Sequence, residues 1–188
     1  MRVAPALAPS CRVLALVALC AAGLASPVDA QSVRVNGRLV QPLGGDVTDY
    51  RISSDGTRVV YRADQEHDEV FELFSAPVDG SAPAVRLHAA QSEGSSEDAG
   101  DFAIGGQRVV YVWNDSGGGG SLFSVPLAGG AAPTLLSGAA SGEVDSFQLT
   151  HDGTRAVFHA DSELYVVPVD GSAAPLVLDP EDRPCNLY

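Results

Sequence analysis

The sequence predicts an all-β protein built from three four-stranded antiparallel units, and three observations predict it. A phrase of eight residues, Ser54-Asp55-Gly56-Thr57-Arg58-Val59-Val60-Tyr61, returns as His151-Asp152-Gly153-Thr154-Arg155-Ala156-Val157-Phe158. A shortened copy, Gly105-Gly106-Gln107-Arg108-Val109-Val110-Tyr111, lies between them. A second phrase follows each copy: Leu73-Phe74-Ser75-Ala76-Pro77-Val78-Asp79-Gly80, Leu122-Phe123-Ser124-Val125-Pro126-Leu127 and Leu164-Tyr165-Val166-Val167-Pro168-Val169-Asp170-Gly171. Finally, the apolar runs are short, rich in β-branched and aromatic residues, and separated by turn residues. Repetition at this period means stacked supersecondary units and not one irregular core.

The first unit reads in order as follows. Tyr50 to Ser53 alternates like a strand, and Asp55-Gly56 marks a tight reversal that needs positive φ. Arg58 to Ala63 is a near-continuous apolar run, so both of its faces are covered. Phe71 to Val78 is a third strand, Asp79-Gly80 turns the chain again, and Val85 to Leu87 is a fourth. The middle unit gives Phe102 to Ile104, Arg108 to Trp113, Ser121 to Leu127 and Thr134 to Leu136. Its first turn is shorter, and Gly105-Gly106 suits the tighter reversal. The last unit gives Phe147 to Leu149, Arg155 to Ala160, Glu163 to Val169 and Pro175 to Leu178. Pro77, Pro126 and Pro168 lack a ladder donor and are placed at the outgoing ends of their strands. Spacing varies where loops belong: Gly56, Gly106 and Gly153 are 50 and 47 residues apart, while the three prolines are 49 and 42 apart.

Four antiparallel strands per unit, each unit too thin to bury itself, describe a β-propeller blade. An ordinary β-sandwich gives no reason for the same residue types to recur at matching positions. The blades are placed at about 47–90, 99–138 and 144–179 within a repeat region 31–179, followed by a tail 180–188. Val33-Arg34-Val35-Asn36 looks like Val85-Arg86-Leu87-His88 and is read as an orphan fourth strand.

The first 30 residues are set aside. Arg2 and Arg12 form a positive leader, Val13 to Leu24 is apolar, and Val28-Asp29-Ala30 offers a cleavage site before Gln31. This pattern predicts a secretory signal peptide, with an uncleaved anchor as its rival. The expected location is therefore periplasmic or secreted, with no stable membrane span after signal removal. Cys11 and Cys20 leave with the signal, so Cys185 is a lone thiol and no internal disulfide is expected.

All 11 basic residues are arginine, against 24 acidic ones, and the net charge is −13. Without Arg2, Arg12 and Asp29 the mature chain has 9 basic and 23 acidic residues and a net charge of −14. Such a surface repels phosphate backbones and argues against nucleic acid as a partner. There is no Gly-x-Ser-x-Gly, and without lysine there can be no Walker A loop. The four histidines form no zinc spacing, and His151 and His159 read as exposed or satisfied side chains. The Gly117 to Ser121 stretch reads as a hairpin loop. The sequence thus predicts no enzyme, no cofactor and no metal site.

Asp64, Glu66, Asp68 and Glu69 form the sharpest polar cluster. Alternating carboxylates can hold a hard cation, but the glycine bend and distal glutamate of an EF-hand loop are missing, and a solvated acidic loop is the plain alternative. Blade topology gathers further carboxylates on the same end. The candidate binding face comprises Asp64, Glu66, Asp68, Glu69, Glu97, Asp98, Asp115, Glu143 and Asp161, with Asp46, Asp49, Glu93, Asp101, Asp145 and Glu163 nearby. The opposite end carries the hairpin aspartates Asp55, Asp79, Asp152 and Asp170, which have a structural task in their turns. Simple solubility is the competing reading of the crowded end.

The paired phrases Ser-x-Asp-Gly-x-Arg-Val-Val-Tyr and Leu-Phe-Ser-x-Pro-Val-Asp-Gly resemble the repeats of TolB-like β-propellers, relatives of the tryptophan-aspartate repeat proteins. The resemblance spans Val33 to Asp179. It implies an exported, non-enzymatic module that binds a protein at the bacterial cell envelope. Two alternatives stay open: the propeller fragment of a prolyl oligopeptidase-like serine peptidase without its catalytic domain, and a calcium- or carbohydrate-binding secreted module. Three blades are fewer than a closed ring needs. The expectation is a truncated product, with self-association through uncovered terminal blade faces or an open arc as the other outcomes.

Overall fold

The computed structural model describes residues 32–39, 45–89, 97–116, 119–138 and 142–178. The expected signal peptide, Glu93 and the tail with Cys185 lie outside the described residues. All the strands lie within the unit Val33–Tyr188.

Twelve strands form three four-stranded antiparallel sheets, and no helix occurs among the described residues. Sheet 1 holds β1 (Val47–Ile52), β2 (Arg58–Ala63), β3 (Glu72–Pro77) and β4 (Val85–Arg86). Sheet 2 holds β5 (Asp98–Gly105), β6 (Arg108–Asn114), β7 (Gly120–Pro126) and β8 (Thr134–Leu135). Sheet 3 holds β9 (Val144–Leu149), β10 (Arg155–Ala160), β11 (Glu163–Pro168) and β12 (Leu176–Val177). Strand order within each sheet follows the chain. Pro77, Pro126 and Pro168 each close their strand, where the missing N–H costs no ladder bond.

The hairpin turns follow from their aspartates and glycines. Gly56 N–H donates to Ser53 C=O at 2.8 Å, and Gly153 N–H to Thr150 C=O at 2.8 Å, with φ of 71° and 66°. Asp55 Oδ1 accepts from Ser53 Oγ at 2.6 Å and from Thr57 N at 3.0 Å. Asp152 Oδ1 accepts from Thr150 Oγ1 at 2.6 Å and from Thr154 N at 3.1 Å. These donors, the hydroxyls first, pull both carboxyls down to about 2.

Registers repeat from sheet to sheet. Val60 faces Ser75, Val110 faces Ser124 and Val157 faces Val166. One position further, Tyr61 stacks on Phe74, Tyr111 on Phe123 and Phe158 on Tyr165, with ring centroids 5.5, 5.8 and 5.0 Å apart. Arg58 Nε donates to Ser75 Oγ at 2.9 Å and Arg108 Nε to Ser124 Oγ at 2.7 Å. Valine at position 166 removes that acceptor from sheet 3.

Period-two alternation sends neighbouring side chains to opposite faces. Val60, Leu73 and Leu87 of sheet 1 pack with Phe102, Val109, Tyr111 and Leu127 of sheet 2. Val110, Leu122 and Leu136 of sheet 2 pack in the same manner with Phe147, Ala156, Phe158 and Val169 of sheet 3. Each sheet thus lays one apolar face on the next, and two apolar layers lie between the three sheets, with a further cluster on the other face of sheet 1. Arginines from β1 and β2 tie the first layer. Arg51 Nε donates to Phe102 C=O at 3.0 Å, and Arg62 Nη2 meets Asp98 at 3.0 Å while its guanidinium lies 4.3 Å over the Phe71 ring.

Two sequence readings are corrected. The first strands of all three sheets begin earlier than their apolar alternation indicates. A register shift interrupts each one, next to the pairs Val47–Ala63, Ala99–Trp113 and Val144–Ala160. A bulge breaks the period-two pattern on which the reading rests. The orphan strand expected at Val33–Asn36 is not a strand. It has no third strand of its own sheet beside it, and a ladder needs a partner. Its position nevertheless follows the repeat. A Cβ on Gly129, in the β7–β8 turn of sheet 2, would meet Val85 of sheet 1; one on Gly171, in the β11–β12 turn of sheet 3, would meet Thr134 of sheet 2; and one on Gly80, in the β3–β4 turn of sheet 1, would meet Val33. Val33 therefore stands where the fourth strand of a preceding sheet would stand. Val35 and Leu39 pack on Val59, Tyr61 and Phe74, and Gly37 N–H donates to Tyr61 Oη at 3.2 Å.

Candidate functional site

Antiparallel order places the β2–β3, β6–β7 and β10–β11 loops at one end of the sheets, together with the connections between sheets. The nine acidic residues singled out in the sequence lie at that end, where most of those with visible partners serve the chain itself. Asp64 is buried, not solvated. Its carboxylate accepts the Asp46 N–H and, at 3.4 Å, the Glu69 N–H, so it fastens the β2–β3 loop to the start of β1. Glu69 takes a left-handed conformation at φ 59°. Glu66 Oε2 pairs with Arg86 Nη1 at 2.5 Å. Asp98 accepts from Arg62 and, at 2.8 Å, from Asn114 Nδ2. Asp115 Oδ1 accepts the Gly119 N–H at 3.0 Å and closes the β6–β7 loop. Glu97 and Asp68 are half-buried, while Glu143 and Asp161 are exposed. Asp161 lies in the β10–β11 turn at φ 50°, against Gly142. Beside it Asp145 Oδ2 lies 2.6 Å from His159 Nδ1. Among the described residues no three acidic, histidine or cysteine side chains converge in a way that could hold a metal ion.

A different polar group is buried more deeply, and the sequence reading did not find it. Glu72 opens β3 with no solvent exposure. Arg86 Nη1 lies 3.6 Å from Glu72 Oε1 and also holds Glu66, so one guanidinium spans two carboxylates. His88 follows at 3.9 Å from Glu72. Its tautomer is set by two contacts: Nε2 accepts the Leu73 N–H at 3.2 Å, and Nδ1 donates to Ala89 C=O at 2.6 Å. Burial, with the Arg86 charge in second place among the lowering causes, pushes His88 down to about 4, so it is neutral at physiological pH. Its ring lies 4.5 Å from the Trp113 ring. Both line an open cavity of about 280 Å³ with Glu97, Tyr111, Phe123 and Pro133. Burial raises the Tyr111 phenol well above its ordinary value. This recess offers aromatic faces beside a carboxylate, which suits a cationic or flat apolar side chain. The signal was present in the sequence: Glu72 opens an otherwise apolar strand, and Arg86 and His88 stand two residues apart at and just beyond the end of the next one.

No family model matches the chain, and no curated protein matches it.

Proposed function

We propose that this chain is an exported, non-enzymatic β-propeller module, similar in its repeats to the TolB-like proteins, that binds a protein partner at the bacterial cell envelope. One observation carries the reading: three meander sheets follow one another face to face, with the same valine, leucine and aromatic positions between each pair. That is the manner in which propeller blades bury their faces. The basic, apolar leader supports export, and the strongly acidic mature surface supports a basic protein partner over nucleic acid or an anionic membrane. The proposed contact surface is the loop end, where Asp68 is half-buried, Glu143 and Asp161 are exposed, and the Trp113 recess opens beside Glu97.

The experiment is expression in a bacterial host with a photo-crosslinking side chain at Asp68 or Asp161 and, as the control, at Asp79 on the opposite end. The expected result is a protein in the periplasm that starts at Gln31, crosslinked to a discrete partner from the loop end alone. An intact leader on a cytoplasmic protein, or equal crosslinking from both ends, would overturn the proposal.

A further inference from the structure

Among the described residues the outer face of sheet 3 has no neighbouring sheet, and that of sheet 1 is covered only in part, by Val35 and Leu39; the two faces complement each other through the repeat. On sheet 1 the projecting set is Val60, Leu73 and Leu87, all buried under sheet 2. On sheet 2 it is Val110, Leu122 and Leu136, all buried under sheet 3. Register places Val157, Leu164 and Leu178 at the same positions of sheet 3, where Leu164 is 45% and Leu178 52% exposed. The receiving set repeats as well. Phe102, Val109, Tyr111 and Leu127 on sheet 2, and Phe147, Ala156, Phe158 and Val169 on sheet 3, are buried. Their counterparts on sheet 1 are Tyr50, Val59, Tyr61 and Val78, of which Tyr50 is 65% and Val78 40% exposed. An apolar groove of about 340 Å³ runs between these residues and Val33–Asn36. On sheet 3, Val157, His159 and Leu164 line an open cavity of about 360 Å³.

We infer that a second copy of this chain docks head to tail, with its sheet 3 laid on sheet 1 in the geometry of the two internal layers. The inference rests on the propeller reading of the sheets and not on export or an envelope partner. Val35 already fills on sheet 1 the place that Leu87 and Leu136 fill in the internal layers. The incoming sheet therefore supplies Val157 and Leu164, and one of two fourth strands must yield. The one that yields is β12, which has two residues, both exposed, and two register pairs. Residues 33–36 then pair with β11 of the incoming sheet and gain the ladder they lack. The contact is heterologous, so it either closes or runs on as a filament. Counting the three sheets of the described residues, two copies bring six, inside the range of about four to eight at which blade rings close, whereas three copies bring nine. The assembly is accordingly a closed pair with two identical contacts.

The test uses the chain expressed with its leader and purified as the host leaves it, weighed by light scattering and native mass spectrometry over a wide dilution series. A dimer is expected. Tyr50→Glu and Leu164→Glu, at exposed positions on opposite faces, each weaken it on the order of a hundredfold, because each places a charge in both contacts. Mixing the two variants restores a pair through the single intact contact. Leu178→Glu leaves the dimer unchanged. A monomer at all concentrations, a dimer sensitive on one face alone, growth into longer assemblies, or dissociation by Leu178→Glu would each overturn the inference. Hydrogen exchange separates the two failures. A monomer with β6 amides protected ends the pair and leaves the stack of sheets standing, whereas a monomer without that protection ends both.

Discussion

Three glycines at equivalent hairpins measure the contact between sheets 2 and 3. Gly56 in the β1–β2 turn has φ 71° and open space around it. Gly153 in the β9–β10 turn has φ 66°, and a Cβ there would lie 2.9 Å from Gly105 Cα and 3.1 Å from Gly106 N. Gly105 itself has no positive φ, yet a Cβ there would lie 2.6 Å from Gly153 C=O. Alanine thus incurs the left-handed backbone cost alone at residue 56, the close contact alone at residue 105, and both at residue 153. The backbone cost is about 1 kcal/mol once the lower entropy of the unfolded chain is credited. The contact cost is roughly 1–3 kcal/mol, because the opposing atoms are backbone and cannot swing aside. Gly153→Ala should therefore lose about 2–4 kcal/mol, and Gly56→Ala about 1 kcal/mol. Urea unfolding of the three variants gives these values directly. The double variant Gly105→Ala/Gly153→Ala should cost less than the sum, since both changes open the same gap. Equal losses at residues 56 and 153, or additivity at 105 and 153, would refute the claim that these turns abut.

The remaining predictions use the same kind of comparison. Leu122→Ala, in the layer between sheets 2 and 3, should cost roughly 3–4 kcal/mol in unfolding free energy, while Leu164→Ala at the equivalent exposed position should cost less than about 0.5 kcal/mol at monomer concentrations. Arg86→Ala removes the charge that faces buried Glu72 and should cost roughly 3 kcal/mol, with Glu72→Gln in the same background recovering part of it. Asp55 and Asp152 are held near 2, below an unfolded value of about 3.9, so their stabilisation is full above pH ~4 and disappears as the pH falls toward 2. Carbon-detected titration should place both carboxyls there, and Asp152→Asn should flatten the stability slope in that window. His88 is held near 4 in the fold, against about 6.5 in the unfolded chain, so the unfolded state takes up its proton first. Stability should decline as the pH drops from about 6.5 to about 4, and His88→Phe should remove that component of the slope.

Much of the fold was legible because the signals that specify it are local. Asp55-Gly56 and Asp152-Gly153 fix their turns through hydroxyl and N–H groups within five residues. The runs Arg58–Ala63 and Arg155–Ala160 have the observed strand bounds because they are near-continuous runs of β-branched, aromatic and small apolar residues opened by arginine and preceded by a Gly turn. Bulged β1, β5 and β9 were legible only in part, since an inserted residue resets the alternation. The site was less legible than the fold. Asp64 and Asp98 read as members of an acidic face, yet the structure commits them to an N–H group and to Arg62. Glu72 and His88 read as strand residues, yet Glu72 lies buried beside both Arg86 and His88, and His88 borders the Trp113 recess, 25 residues further along the chain.

By itself the sequence determined the units: where the chain turns, which runs are strands, and that three copies share one plan. Those properties depend on backbone conformation and alternation within a few residues. Tertiary structure alone decided which face of each sheet meets which neighbour, which carboxylates are spent on the chain's own donors, and which valines and leucines remain uncovered. Those outcomes depend on side chains about 50 residues apart arriving at one interface, and on each layer having a partner to bury it.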